Sequence, residues 1–375
     1  MNKLKIFFAN HKKTTKFFKV FLSILGFVVC LVIITFGALQ LNCSPSKRIV
    51  ISSRYQSTIP MEHQRPEVST YLTYPEWFIV YSSDEYARFL ENKPPSGFPY
   101  FGSIKQYWGN YCQAYATTKA RGEFSFGDHL MLFVIGWSYS AELGIKGIYE
   151  NTVGRITEFS GSYPATQEDV YADKVAKDYV EFIRIRPWYE YNFAHAFGRL
   201  WQDNSFFGRH FVRKIERRLF LSTEYGIKTV YGWLIGLGSH SVYGVEDIQT
   251  YAIVKNSSDS IFSEFDSVKK IKEFDNGLVL VSIPRYQPFS EIAPKFASKN
   301  IEFTDIAGNK EIFITALVPR YLPFNPSLGN LVFETNILTD SSKKRIGISL
   351  PVESLSKSLI SIEANGGSIE HVYDY

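Results

Sequence analysis

Cysteine is scarce in this sequence, and none of it has metal-binding spacing. Only three cysteines occur among 375 residues, with no CxxC and no Cys/His cluster of the kind that binds structural zinc. Cys30 lies within an apolar run, so an internal disulfide would have to join Cys43 to Cys112, a pairing that the sequence leaves open. The fold is therefore not expected to depend on a disulfide framework.

Several motifs of catalytic and cofactor sites are also missing. The sequence has no GxSxG, no Walker sequence, no internal repeat and no low-complexity tract. Glu142, Lys146 and Glu150 recur every four residues, but the Glu-x-x-His pairs of di-iron helix bundles do not accompany them. We expect these three side chains to form a solvated salt-bridge ladder along a helix. No metal site and no cofactor is predicted.

Acidic residues are absent from the first nineteen positions, which contain six lysines. Residues 20–41 then follow without any charge, and a helix of about 20 apolar residues crosses the hydrocarbon core of a bilayer. The sequence thus predicts a single-pass transmembrane helix that serves as a signal-anchor. A cleaved signal peptide is the competing interpretation, although its apolar region is usually only about 7 to 15 residues long.

The positive charges around residues 20–41 also predict an orientation. Six lysines precede the apolar run, whereas Lys47, Arg48 and Arg54 follow it. By the positive-inside tendency, the N-terminus is cytoplasmic and the bulk of the chain is extracytoplasmic, which in a bacterium means a periplasmic domain or the cell exterior. The chain as a whole carries a formal charge of +4, so the part beyond the lysine-rich tail totals about −2. A nucleic-acid partner is not predicted, because such binders carry positive charge on the folded part.

Spacing and composition divide the chain into five segments. They are a basic cytoplasmic tail at 1–19, a transmembrane helix at 20–41, a polar linker at 42–72, a helical domain at 73–244 and an α+β domain at 245–375. Within the helical domain, Asp128 is the expected N-cap of a helix over 128–158, and a capping box at Thr166 begins another. A long helix is expected over 206–235. The apolar stretches 129–145 and 229–244 are short and contain polar residues, which favours buried core helices over further membrane spans.

The C-terminal segment has β-rich runs between helical stretches. The runs lie at 250–254, 278–283, 311–318, 331–337 and 369–375, and the helices near 259–274, 289–299 and 353–364. Asn365, Gly366 and Gly367 form a typical C-cap for the last of these helices. The predicted fold class is α+β, and ferredoxin-like β-α-β units are one arrangement of these elements.

An aromatic stretch at 187–201 contains the first candidate site. Glu190, His195 and Arg199 lie there among six aromatic residues, and a histidine beside a guanidinium could act as a general base. The alternative is that the aromatic side chains form the core and His195 satisfies a buried hydrogen bond. An enzyme would bring Glu190, His195 and Arg199 together in an enclosed pocket.

A basic stretch at 209–218 contains the second candidate site. Arg209, Arg213 and Arg217 recur every four residues, so on a helix they would share one face and could bind anionic lipid headgroups or an acidic protein. The alternative is an ordinary solvated helix face. Binding requires that the three guanidinium groups be exposed together.

Two hypotheses about function follow. The first is a membrane-anchored binding or interaction protein on the extracytoplasmic side, with anionic lipid or another protein as its partner. The second is a membrane-associated enzyme that acts on a hydrophobic or lipid-derived substrate at an aromatic-lined pocket around His195. The sequence contains no feature that decides between them.

Overall fold

The fold is α+β, as predicted, with helices in the N-terminal part and two antiparallel four-stranded sheets in the C-terminal part. A computed structural model describes residues 23, 26, 30, 33–43, 56–67, 69–122, 124–158, 166–239, 248–258 and 262–375. Residues 33–42 are helical, whereas the tail 1–19 and much of the apolar run 20–41 lie outside the described residues. Among the described residues, no helix combines the length and the apolarity that a membrane crossing requires.

Between residues 69 and 375, the described helices of ten residues or more number six in the N-terminal part and two in the sheets. In chain order they are α1 Ser69–Leu90, α2 Tyr100–Arg121, α3 Phe126–Tyr149, α4 Gln167–Ile183, α5 Phe193–Gln202, α6 Phe211–Ser239, α7 Gln287–Ser298 and α8 Leu355–Ala364. A π-helical turn at Glu150–Gly154 and a short helix at Arg155–Glu158 extend α3.

Helix starts follow the local sequence, with one correction. Thr166 caps α4 as predicted, because its hydroxyl accepts a hydrogen bond from the amide of Asp169. Asp128, however, is not the N-cap of α3. Ser125 is the cap, and its hydroxyl accepts from the amide of Asp128, which leaves that carboxylate in the first turn. Aspartate is favoured both at the N-cap and in the first turn of a helix, so its presence alone does not show which of the two positions it occupies.

Eight strands form the two sheets. They are β1 Gln249–Lys255, β2 Lys269–Glu273, β3 Val279–Pro284, β4 Glu302–Ile306, β5 Glu311–Pro319, β6 Asn330–Asn336, β7 Lys343–Pro351 and β8 Ser368–Tyr373. Their orders are β2-β3-β1-β4 and β6-β7-β5-β8, and every pairing is antiparallel. In each sheet a helix, α7 or α8, connects the third strand to the fourth. In the second sheet, a short 3-10 turn at Pro326–Leu328 lies between the first two strands.

The prediction of a helix near 259–274 is wrong over its second half, where β2 forms. All five residues of β2 are exposed, and three of them are lysines. Lysine is common on edge strands because it prevents pairing with other chains, but its spacing resembles that of an amphipathic helix. Strands β4 and β7 are not among the predicted runs; the first three residues of β7 are charged, although the strand is central in its sheet.

Helix α1 joins the helical part to the second sheet through buried polar and aromatic contacts. Tyr81 Oη lies 2.9 Å from both Thr315 Oγ1 and Tyr373 Oη. Trp77 stacks on His371, with 3.7 Å between the ring centroids. Burial, helped by a nearby arginine, holds the pKa of His371 well below its usual value, so the imidazole stays neutral.

The described part of the expected linker contacts the first sheet and, through the Glu67–Arg121 ion pair, helix α2. Ile59 is buried against Ile253 and Leu280, and Ser57 donates a hydrogen bond of 2.6 Å to Asp305. Helix α1 also begins at Ser69, four residues before the expected domain start at 73. Residues 56–67 are therefore part of the folded body rather than a free spacer.

A disulfide joins Cys43 to Cys112, with 4.8 Å between the Cα atoms. Cys43 directly follows the helical residues 33–42, and Cys112 lies in α2. The bond therefore fastens the end of the apolar run to the helical unit, a link that the sequence left open.

Candidate functional site

The basic stretch 209–218 does not form an exposed arginine face. Arg209 precedes α6 and is exposed, but Arg213 and Arg217 have relative exposures of 1% and 0%. The predicted anionic-lipid surface is therefore wrong for these two residues, because both guanidinium groups face carboxylates inside the helical unit.

Four buried cations of α6 pair with five carboxylates, in one set around Arg213 and Arg217 and a second around Glu168. Arg213 binds Asp169 at 2.9 Å, Arg217 binds Glu150 at 2.7 Å, and Arg218 binds Glu168 at 2.8 Å. The other members are Lys214, Glu158 and Glu216. Four positive and five negative groups thus compensate one another, which is the condition under which charges remain in a protein interior.

The residues predicted for an enzyme site do not converge in a pocket. Glu190, His195 and Arg199 are all exposed, and Arg199 forms a 2.8 Å ion pair with Asp203. Asn192 caps α5, because its Oδ1 accepts a hydrogen bond from the His195 amide. The geometry expected of an acid–base constellation is therefore not present at these three positions.

An aromatic-lined cavity does exist, but on the buried side of α5. It has a volume of about 100 Å³ and lies between α1, α3, α4 and α6. Phe193 contributes to its lining, whereas His195 does not. The aromatic lining residues are Tyr86, Phe98, Tyr100, Tyr139, Tyr179, Phe193 and Tyr225.

Two lysines and a glutamate form the charged part of this cavity. Lys146 Nζ lies 3.0 Å from Glu224 Oε1, and Lys228 Nζ lies 3.2 Å from the same oxygen and 2.7 Å from Glu142 Oε1. Lys146 Nζ also lies 4.4 Å from the centroid of the Tyr86 ring, a cation–π contact. Glu142 is exposed but pairs with Lys228, so the two lysines and the two glutamates balance in charge.

The protonation states of these groups follow from burial and mutual attraction. Burial alone would raise the pKa of Glu224, but the ammonium groups of Lys146 and Lys228 outweigh it and hold the pKa at about 2. Burial would lower the pKa of Lys228, but attraction to Glu142 and Glu224 raises it well above its usual value. Both lysines therefore remain protonated at neutral pH, which suits anion binding better than proton abstraction.

The predicted solvated ladder of Glu142, Lys146 and Glu150 is wrong. Lys146 pairs with Glu224 on α6, and Glu150 is fully buried against Arg217. Only Glu142 is exposed, and it also pairs across to α6. The spacing located these residues on one helix, but their partners lie about 70 to 90 residues further along the chain.

A second, more polar depression lies between α1 and the second sheet. It has a volume of about 300 Å³, and Arg345 is one of the residues that line it. Arg345 Nε and Nη2 bind Glu370 and Glu85 at 2.6 Å and 3.0 Å, so its charge is compensated. This arrangement is best understood as a contact that holds the two units together.

Within the described ranges, no three histidine, cysteine, aspartate or glutamate side chains come together so as to hold a metal ion. Neither a protein-family model, nor a curated protein, nor a solved structure matches the chain. The cavity between α1, α3, α4 and α6 is therefore assigned on its own chemistry. The sequence signal that could have located it is the i, i+4 pair of Glu224 and Lys228, which are the charged residues of the otherwise uncharged stretch 219–239.

Proposed function

We propose that this protein is a membrane-anchored binding protein of the extracytoplasmic side, and that its helical cavity takes up a small anionic amphiphile. Residues 20–41 would anchor it, with the N-terminus in the cytoplasm. The observation that carries the ligand assignment is the aromatic-lined cavity with the two ammonium groups of Lys146 and Lys228 in its lining.

The disulfide supports the extracytoplasmic location. Disulfides persist in oxidising compartments and are rare in the cytosol. The Cys43–Cys112 bond links the residue that follows the apolar run to the helical unit, so both cysteines would need to lie on the oxidising side. That location agrees with the lysine asymmetry around residues 20–41.

The cavity chemistry supports an anionic amphiphile. Ligand sites are mostly apolar, with a few polar groups that fix the orientation. A volume of about 100 Å³ is somewhat below the roughly 150 Å³ that accommodates benzene in a protein core, so it would hold part of an acyl chain. The two ammonium groups would then face a carboxylate or sulfate.

The second hypothesis, an enzyme centred on His195, has less support. Glu190, His195 and Arg199 lie on the exposed side of their segment, and the cavity is lined instead by residues whose charges are already paired. The exposed trio nevertheless supplies useful control positions for a binding experiment.

Native mass spectrometry of the detergent-solubilised full chain with dodecanoate tests the ligand assignment. We expect a one-to-one adduct that dodecanol, which lacks the charge, does not form. Lys146→Met should weaken dodecanoate binding about tenfold, because a hydrogen bond to a charged group contributes roughly 1.5 to 3 kcal/mol. Ala176→Leu should abolish binding by filling the cavity without altering a charge.

Matched controls are available on exposed surfaces. Lys174→Met removes a lysine from the exposed side of α4, and His195→Ala alters the exposed side of α5, so both should bind dodecanoate as the natural chain does. Equal binding by Ala176→Leu and by the natural chain would show that the cavity is not the ligand site.

The orientation has its own test. Protease added to right-side-out membrane vesicles should digest the helical and α+β units. Complete protection of these units, with digestion after the vesicles are opened, would overturn the extracytoplasmic assignment.

A further inference from the structure

In α6 the charged side chains face the protein interior and apolar side chains face outward, which is the reverse of a helix on the surface of a water-soluble protein. None of its seven charged residues is exposed. Ten residues of α6 up to residue 237 are exposed; none of them is charged, and only Thr223 and Tyr231 have a hydroxyl group. They are Phe211, Val212, Leu219, Thr223, Ile227, Val230, Tyr231, Trp233, Leu234 and Leu237. A helix facing water normally presents its charged residues outward and its apolar residues to the core.

Helix α4 shows that the same unit also has an ordinary surface. Five of its six exposed residues are polar or charged, and Val170 is the exception. The reversed polarity of α6 is therefore a local property of one side of the molecule. Charged side chains that face the interior while apolar ones face outward are the pattern of helices in contact with lipid.

The neighbouring α3 continues this apolar surface. Ser138 Oγ lies 3.3 Å from Tyr231 Oη, and Lys146 Nζ lies 3.0 Å from Glu224 Oε1, so the two helices run antiparallel side by side. The first half of α3 and the last half of α6 therefore meet at the same end of the helical unit. We call the exposed apolar residues at this end the apolar tip; they are Phe126, Leu130, Met131, Val134, Ile227, Val230, Tyr231, Trp233, Leu234 and Leu237.

The depth of the apolar tip is close to that of one leaflet. Residues 130–141 of α3 and 229–239 of α6 contain no charge. At 1.5 Å per residue these stretches measure about 17 Å, and half of a hydrocarbon core measures about 15 Å. The charged residues Glu142 and Lys228 mark one end of these stretches, and Asp128, which is not exposed, lies at the other end of the α3 stretch.

The apolar tip is continuous with the end of the apolar run 20–41. The Phe36 ring lies 4.8 Å from that of Phe133 and 5.7 Å from that of Phe126. Trp137 Nε1 donates to Thr35 Oγ1 at 3.3 Å. A bilayer that contains residues 20–41 would therefore lie against the first half of α3.

We propose that the apolar tip inserts into one leaflet of the bilayer that holds residues 20–41. This inference rests on the anchoring in the proposed function and adds a second point of membrane contact. It commits to hydrocarbon as the occupant, because a protein interface carries a polar rim and direct hydrogen bonds, whereas the tip exposes aliphatic and aromatic side chains and no charged one. The cavity lysines would then lie at headgroup depth, within reach of an amphiphile in the membrane.

Quenching of tryptophan fluorescence by brominated lipid tests the insertion. The full chain is reconstituted in phosphatidylcholine vesicles whose acyl chains carry bromine, and its emission is compared with that in unbrominated vesicles. Trp233 is 63% exposed within the tip, whereas Trp201 is 44% exposed on α5 and donates a hydrogen bond to Ser222, about 17 Å along α6 from Trp233. We expect Trp233→Phe to lose the larger part of the quenching and Trp201→Phe, the matched control, to retain it.

Flotation of the same vesicles separates the two proposals. Protein that fails to float with the vesicles contradicts the anchor itself. Protein that floats, but whose quenching is the same in Trp233→Phe and the natural chain, overturns the insertion and leaves the anchor standing. Shielding of Trp233 from aqueous acrylamide without quenching by brominated lipid, together with cross-links between copies, would assign the tip to a second copy and also overturn the insertion.

Discussion

Arg217 and Glu150 form an ion pair in which neither side chain is exposed. Their Nη1 and Oε1 atoms lie 2.7 Å apart, and Asp169 Oδ1 lies 3.2 Å from Nε of the same arginine. Each buried ion loses its hydration, and only its charged partners offset that cost. Removal of one ion therefore leaves the others uncompensated and weakens the contact between α6 and the end of α3.

Loss of the Arg217 guanidinium should be strongly destabilising. Arg217→Met leaves Glu150 buried without its cation, and we expect the free energy of unfolding to fall by about 3 kcal/mol. Denaturant unfolding in detergent measures the change. Arg199→Met, which removes an exposed pair with Asp203, should change it by less than about 0.5 kcal/mol. Equal stabilities for the two variants would contradict the buried network.

Reduction of the Cys43–Cys112 bond should lower the unfolding midpoint. The disulfide closes a loop with a sequence separation of 69, and constraint of the unfolded chain by such a loop contributes about 4 kcal/mol in the entropic treatment. Thermal unfolding with and without dithiothreitol measures the loss. The double variant Cys43→Ser/Cys112→Ser should already have the lower midpoint and should not respond to dithiothreitol. A natural chain that is equally indifferent would argue against the bond.

Glu76 should make stability fall as the pH rises. Burial, with a smaller contribution from Asp128, raises the pKa of Glu76 from 4.5 to about 7, and no lysine or arginine among the described residues pairs with it. The folded state therefore holds a proton that the unfolded chain releases near pH 4.5. The contribution of Glu76 is retained below that value, is lost progressively up to about pH 7 and stays constant above it.

The matching variant is Glu76→Gln. It should gain on the order of 1 kcal/mol over the natural chain near pH 8 and nothing near pH 4, the figure being reduced for partial exposure. Unfolding curves at the two pH values measure the difference. Glu363→Gln, at an exposed position on α8, serves as the control and should show no pH-dependent difference. A gain of equal size at both pH values would exclude titration of Glu76 as its origin.

Arg345 should hold the helical unit to the second sheet. Arg345→Met removes the contacts with Glu85 on α1 and Glu370 on β8, so hydrogen exchange should accelerate in residues 69–90 and 368–373. Lys343→Met, at an exposed position on the same strand, should leave exchange in both segments unchanged. Acceleration spread uniformly over the molecule would indicate global destabilisation instead of a local contact.

Local features of the fold could be predicted because they depend on neighbours in sequence. Thr166 caps its helix through an amide three residues away, and Gly366 adopts the positive φ expected after α8. Strand β2 could not be recognised, because three lysines in five residues suit an exposed edge strand and a helix surface equally. The candidate sites failed for a related reason: helical spacing places Arg213 and Arg217 on one face but does not say whether that face is inside.

The sequence by itself determined the charge-free run 20–41, the lysine-rich segment before it, the α+β class and the change from helices to strands near residue 245. These depend on composition and short-range periodicity. Only the tertiary structure decided that Cys43 meets Cys112, that Lys146 meets Glu224, and that α6 turns its charges inward. Each of these depends on which distant side chains share a buried space, and an amphipathic period is the same whether its polar face meets water or other charges.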